Sequence, residues 1–362
     1  MSARNVRTAL SLVAMAACTA LFVSAPAAYA DDPMDTGSQQ ESTAALKVGD
    51  NAPPITIADW VKGEPITGLE KGRVYVVEFW ATWCGPCRVS IPHLTEMAHK
   101  YKSQGVTFIG ISSSDKSTEI VKKFVDKMGD KMDYTVAVDK KRATDKAWME
   151  ASGQGGIPTA FVVDREGKIA WIGHPMSYLE SVLGQIVTGK FDAKKQMEME
   201  AKAETTMKEF STAAKSKDWD AALKAVDTYA SLDASHAEQA ASMKFSVLLN
   251  GKKDYTAAFA YGNQLVATTY KDNAQALNDV AWRILDDESL EKRDLDLALK
   301  AAQRAAELTK FEDGMILDTL ARAYFEKGDK AKAVEFQTKA VEKTTDEEMK
   351  TEMQDTLEKY KK

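Results

Sequence analysis

The stretch Val74-Tyr75-Val76-Val77-Glu78-Phe79-Trp80-Ala81-Thr82-Trp83-Cys84-Gly85-Pro86-Cys87 decides how this chain folds. Residues 74–79 are β-branched or aromatic apart from Glu78, which predicts a buried strand. A helix is predicted from Cys84 to about Lys102, and Gly85 and Pro86 suit its tight entry because proline is tolerated in a first turn. Cys84 therefore stands at a helix N-terminus, where the positive end of the helix dipole favours thiolate over thiol. Cys87 follows one turn later. From there it can attack a mixed disulfide formed at Cys84 and release the partner.

Working outward, short apolar runs alternate with helical patterns from Lys47 to about Thr188. Strands are expected at Pro54 to Trp60, Val106 to Ser112 and Tyr134 to Val138, and helices at Thr118 to Met128 and Ala143 to Ala151. Thr159 to Val163 and Lys168 to Ile172 should form a hairpin around Asp164-Arg165-Glu166-Gly167, closed by a helix from Tyr178 to Val187. Alternating strands and helices imply an α/β domain with a central mixed sheet flanked by helices, placed at residues 47–190.

After Gly189 the chain contains no proline and is dominated by Ala, Lys, Glu, Leu and Met, all strong helix formers. Breaks recur at Ser216-Lys217-Asp218, Asn250-Gly251-Lys252, Asp286 to Arg293 and Lys327-Gly328-Asp329, each followed by alanines at helical spacing. This predicts an all-α domain of stacked helical hairpins over residues 191–362, three or four of them, with a capping helix near Asp346 to Tyr360. Leu317, Leu320, Ala321, Tyr324, Gly328, Ala333 and Ala340 resemble the tetratricopeptide pattern of large, large, small, aromatic, Gly, Ala and Ala. An unrelated helical bundle would share the periodicity.

The N-terminus reads as a segment apart. Arg4 and Arg7 precede an apolar run from about Ala9 to Val23, and Ala28-Tyr29-Ala30 places small residues where a signal peptidase reads. Residues 1–30 are thus a signal peptide, and the polar residues 31–46 a flexible leader. Met15-Ala16-Ala17-Cys18 loosely resembles a lipoprotein box. Met15 stands where Leu is usual, so Cys18 is read as a small apolar residue of the run. Export to a periplasmic or other extracytoplasmic compartment follows, leaving Cys84 and Cys87 as the cysteines of the mature chain. Sulfurs three residues apart close too short a loop to stabilise a fold much, so the pair is better explained by redox chemistry than by stapling. With 44% apolar and 28% charged residues the composition is that of a globular protein, and a net charge of −6 argues against nucleic acid as a partner.

Trp83-Cys84-Gly85-Pro86-Cys87 resembles the active-site motif of the thioredoxin family. Pro92 lies where that family kinks the active-site helix, Ile157-Pro158 where it carries a cis-proline facing the cysteines, and Glu78 where it carries a buried Asp. The extra strand and helix between Cys84 and Pro158 resemble the exported, TlpA-type redoxin branch. The resemblance covers residues 47 to 188. It implies Cys84 as the exposed nucleophile and Cys87 as the buried resolving thiol. It also implies a substrate groove of Trp83, Gly85, Pro86, Ile157 and Pro158, with Trp80 and Trp83 walling the site and the Ile157 backbone hydrogen-bonding an extended segment. Glu78 would be a desolvated carboxyl that takes the proton of Cys87. A Glu here departs from the pattern, because exported relatives more often carry an uncharged residue.

The implied function is a disulfide reductase acting on disulfide-containing proteins without a cofactor and re-reduced by a membrane-borne electron donor, with the helical repeats docking a protein partner. An oxidase or isomerase would use the same residues in reverse. A repeat-based binding scaffold with a subordinate redox domain is the alternative of another class. Zinc would need a second ligand pair, which His93, His99, His174 and His236 do not supply at metal-site spacing. Haem attachment would need His after Cys87, where Arg88 stands, and Thr82-Trp83-Cys84 lacks the peroxidase pattern.

Overall fold

The computed structural model describes residues 45–362. The expected signal peptide, Cys18 and all but the last two residues of the leader lie outside the described residues. Among these residues no helix is long and apolar enough to cross a membrane.

The α/β part is built on six strands: β1 (Ile57–Lys62), β2 (Val74–Trp80), β3 (Val106–Ser112), β4 (Thr135–Asp139), β5 (Thr159–Val163) and β6 (Ile169–Gly173). They lie in the order β1-β4-β3-β2-β5-β6. The inner strands β2, β3 and β4 are parallel, whereas β1, β5 and β6 join antiparallel. The mixed sheet expected from the sequence is therefore present. Every residue of β2 is buried, as its unbroken apolar run requires of a strand covered on both faces.

Strand alternation divides β2 between two cores. Tyr75, Val77 and Phe79 pack with Trp148 and Phe161 on one face. Val74, Val76 and Trp80 pack with Cys84, Cys87 and Ile91 on the other, beneath α1 (Gly85–Lys102). The helices α2 (Thr118–Met128) and α3 (Leu179–Val187) contribute Val121, Val125, Leu179 and Val182 to that second face. The predicted helix at 143–151 is one short turn, Ala143–Asp145, widening into a π-type turn at Lys146–Glu150. Strand β1 begins three residues later than expected. It is an edge strand with no fully buried residue, so apolar patterning marks it weakly.

The remaining residues form nine helices: α4 (Ala193–Ser216), α5 (Trp219–Leu232), α6 (Ala237–Ser246), α7 (Tyr255–Ala267), α8 (Ala274–Asp286), α9 (Leu295–Leu308), α10 (Gly314–Glu326), α11 (Lys330–Lys343) and α12 (Glu347–Lys361). α4 packs on α5, α8 on α9 and α10 on α11, and α12 closes against α11. Alanine makes the close approach feasible: Ala298, Ala301, Ala302, Ala305 and Ala306 of α9 are all fully buried. Leu317, Leu320, Ala321, Ala333 and Ala340 of the tetratricopeptide-like pattern are buried too, and Gly328 follows α10 in the left-handed conformation, φ 85°.

The two parts are tied through polar contacts. The Trp171 indole N–H donates to Glu200 at 2.8 Å, and the Ser181 hydroxyl donates to Asp233 at 2.8 Å. His236, buried and stacked on Tyr229 at 3.9 Å, lies 2.8 Å from the Tyr229 carbonyl through Nδ1 and 2.9 Å from the Tyr178 hydroxyl through Nε2. A carbonyl only accepts, so Nδ1 is the donor of that contact.

Candidate functional site

The site lies at the carboxyl ends of the parallel strands, where β2 runs out into Ala81–Trp83 and α1 begins. Cys84 is the N-cap residue of α1, and its sulfur accepts the Cys87 backbone N–H at 3.1 Å. No acidic side chain competes in the first turn. A negative charge on this sulfur would thus face the helix dipole directly. Cys84 and Cys87 are joined in a disulfide. The Ile157–Pro158 peptide is cis, and the Ile157 carbonyl oxygen lies 3.6 Å from Cys84 Sγ. Trp83 is 63% exposed, and Gly85 and Pro86 are exposed beside it.

Two expectations need correction. Cys84 was expected to be exposed, yet only 4% of it is accessible, against none of Cys87. Its sulfur is enclosed by the bond to Cys87, the helix N-terminus and the Ile157 carbonyl. Trp80 was expected to wall the site beside Trp83, but it is fully buried and packs 5.4 Å from the ring of Phe124. As the last residue of β2 it takes the core-facing parity of Val74 and Val76, whereas Trp83 lies beyond the strand.

Glu78 shares the parity of Val76 and Trp80, so it lies on the sheet face that α1 covers with Cys87. It is 2% exposed and neither carboxylate oxygen has a hydrogen-bond partner. Burial alone pushes its carboxyl up to about 8. That value suits a group that must both take and release a proton near neutrality.

Residues that the sequence reading missed hold the loop before Cys84. Thr82 is gripped on both sides of its backbone. Asp115 accepts its N–H at 3.0 Å and its hydroxyl at 2.6 Å, and also accepts the Ser112 hydroxyl at 2.7 Å. Arg88 donates to the Thr82 carbonyl through Nε at 2.9 Å and Nη2 at 2.7 Å while lying over the Phe124 ring. The available signal was the polar run Ser112-Ser113-Ser114-Asp115 at the end of β3, since parallel neighbours bring their carboxyl ends together. Of the histidines, His99 pairs with Asp133 at 2.8 Å and His236 sits between the two parts. Among the described residues no three His, Cys, Asp or Glu side chains cluster as a metal site would require.

Residues 47–185 match the Redoxin family model. The FixW protein of Rhizobium leguminosarum is 31% identical over 161 residues, 43% of this chain and 72% of that protein. The thiol-disulfide oxidoreductase ResA of Bacillus anthracis is 34% identical over 125 residues, 34% of this chain and 68% of that one. Among solved structures, a thiol:disulfide interchange protein from a Bacteroides species is 30% identical and covers 40% of this chain and 92% of its own, with a TM-score of 0.34.

Proposed function

Because this chain belongs to the redoxin family of thioredoxin-like thiol-disulfide oxidoreductases, we propose that it works outside the cytoplasm as a reductase of protein disulfides. The observation that carries this is the Cys84 sulfur, held at the N-terminus of α1 and beside the Ile157 carbonyl. In the reduced protein the Cys84 thiolate attacks one sulfur of a target disulfide, and the other sulfur leaves as a thiolate that takes a proton from solvent. The Cys87 thiol then passes its proton to the Glu78 carboxylate and attacks Cys84 Sγ. The target's second sulfur leaves as a thiolate, and a disulfide now joins Cys84 and Cys87. Trp83, Gly85, Pro86, Ile157 and cis-Pro158 form the groove, where the backbone of residue 157 pairs with an extended target segment.

A reductase in an oxidising compartment must be recharged, and a membrane-borne dithiol donor is the partner this reading requires. The signal-peptide reading of residues 1–30 supports export, with cleavage after Ala30 favoured over lipidation of Cys18. The thioredoxin-like domain is assigned to residues 47–190. A tetratricopeptide-like domain is assigned to residues 191–362, whose paired helices dock the protein partner. A chain ending at Gly189 should then keep its activity on a small disulfide and lose it on the partner; equal loss on both would remove the docking role.

The reduction potential of the Cys84–Cys87 pair, set against glutathione with Cys84→Ser as control, tests the direction. A strongly reducing value supports the reductase. A mildly reducing or oxidising one makes the protein an oxidase or isomerase with the same residues. Failure to form the disulfide in solution would shift the weight to a helical binding scaffold.

A further inference from the structure

Glu78 stands opposite Gly110 in the parallel register of β2 and β3. A Cβ on Gly110 would lie 2.9 Å from Tyr134 Cε2, 3.2 Å from Trp80 Nε1 and 3.4 Å from Glu78 Oε2. Three polar side chains therefore converge on the strip of backbone that this glycine leaves bare. Two come from β2 and one from the residue before β4. All three are buried, and both Glu78 oxygens, the Trp80 indole nitrogen and the Tyr134 hydroxyl lack a hydrogen-bond partner. Buried polar atoms are almost always paired, and unpaired ones concentrate where a group must change state.

The groups facing Glu78 are few. Its neighbour across β3 is Gly110 and across β5 is Ala160, neither of which titrates. Cys87, on α1, lies on the same side of the sheet, and Tyr134, the residue before β4, comes close beside Gly110. Burial, and after it the Glu78 charge, push the Tyr134 hydroxyl well above its usual range, so Tyr134 stays a protonated donor at any working pH.

The geometry points to Tyr134 as a positioning residue: its hydroxyl, assisted by the Trp80 indole N–H, receives the Glu78 carboxylate when it is ionised and ready to accept the Cys87 proton. This rests on the reading of Glu78 as that acceptor. Tyr134 gives up no proton. It makes the ionised acceptor available at a lower pH than burial alone would permit.

The test uses the reduced full chain with oxidised glutathione as probe. The second phase, release of glutathione from Cys84 by Cys87, is followed from pH 5.5 to 9.5 by stopped flow. Wild type should rise to a plateau with one midpoint. Tyr134→Phe, which keeps the ring and removes the donor, should move that midpoint up by about one unit, slowing release about tenfold below it. Uniform 3-fluorotyrosine labelling, which strengthens the donor without removing it, should move the midpoint down, and this shift should vanish in Tyr134→Phe. Glu78→Gln should abolish the midpoint. If Glu78→Gln keeps the wild-type profile, the proton-acceptor reading falls and Tyr134 with it. If Glu78→Gln flattens the profile but neither Tyr134→Phe nor the fluorinated protein moves the midpoint, the positioning role alone is overturned.

Discussion

Eight of the nine helices after residue 190 begin on an Asp or Asn whose side chain accepts a backbone N–H of the first turn: Asp192, Asp218, Asp254, Asn273, Asp294, Asp313, Asp329 and Asp346. The helix of the redox site begins on Cys84, whose sulfur accepts the same kind of N–H. The donors are alike in the two regions and the acceptors differ. A side-chain oxygen of Asp or Asn there satisfies the helix end, which stabilises the fold. A sulfur there is a weaker acceptor until it ionises, so the helix end favours the reactive form instead. One structural device thus builds the scaffold in one region and primes a nucleophile in the other.

The strongest way to break this comparison is at Cys84 itself. Cys84→Ser keeps a capping oxygen but loses the thiolate, so turnover on a small disulfide should fall at least about a thousandfold while thermal unfolding of the reduced protein barely moves. A variant that unfolds instead would mean that the sulfur serves the fold as the carboxylates do.

Next in size is Glu78. Resolution by Cys87 needs it ionised, so below pH 8 the rate should rise about tenfold per unit and then level off, and Glu78→Gln should lower the plateau about a hundredfold. Stability should respond the other way. The folded carboxyl titrates near 8 and the unfolded one near 4.5, so between those values the unfolded chain has lost a proton that the native one keeps. Native stability therefore falls as pH rises through that window. Glu78→Gln should raise the stability of the oxidised protein by on the order of a few kcal/mol at pH 8, with the gain gone by pH 4.5, as denaturant titrations at the two pH values would report.

Asp115 sharpens the comparison. Asp115→Ala frees three donors around Thr82 and should cost about 2 kcal/mol in urea unfolding. It should also slow attack by Cys84, because the loop before it is no longer held. The smallest effect belongs to a single cap of the helical region. Asp329→Ala should cost about 1 kcal/mol and leave the reduction potential unchanged.

The parts of the molecule legible in the sequence were those governed by local rules. The unbroken apolar run of β2 and the Gly85-Pro86 entry to α1 needed no distant partner to be read. What escaped was set by contacts across the sheet. Thr82 and Asp115 are separated by 33 residues and meet because β2 and β3 run parallel. Tyr134 and Glu78 converge beside Gly110, which no window around either residue reveals. In the helical region the turns between successive pairs, at 268–273 and 309–313, were not anticipated. The second is made by Lys310 and Phe311 at φ 53° and 60°, a left-handed conformation that usually calls for Gly or Asn. Trp80 was misplaced although strand parity was available: three residues separate it from Trp83, but only Trp80 belongs to the strand.

Tyr178 stands at the head of α3, and its hydroxyl meets His236 at the corner between α5 and α6. A few residues upstream of Tyr178, β6 ends at Gly173, which pairs with Ala160 of β5, two residues beyond Pro158. In mechanical terms the helices and the sheet are members of one truss. The hydrogen bond between Tyr178 and His236 is one strut of that truss, joining the helical corner to the chain that leads back through the turn at 174–177 to β6.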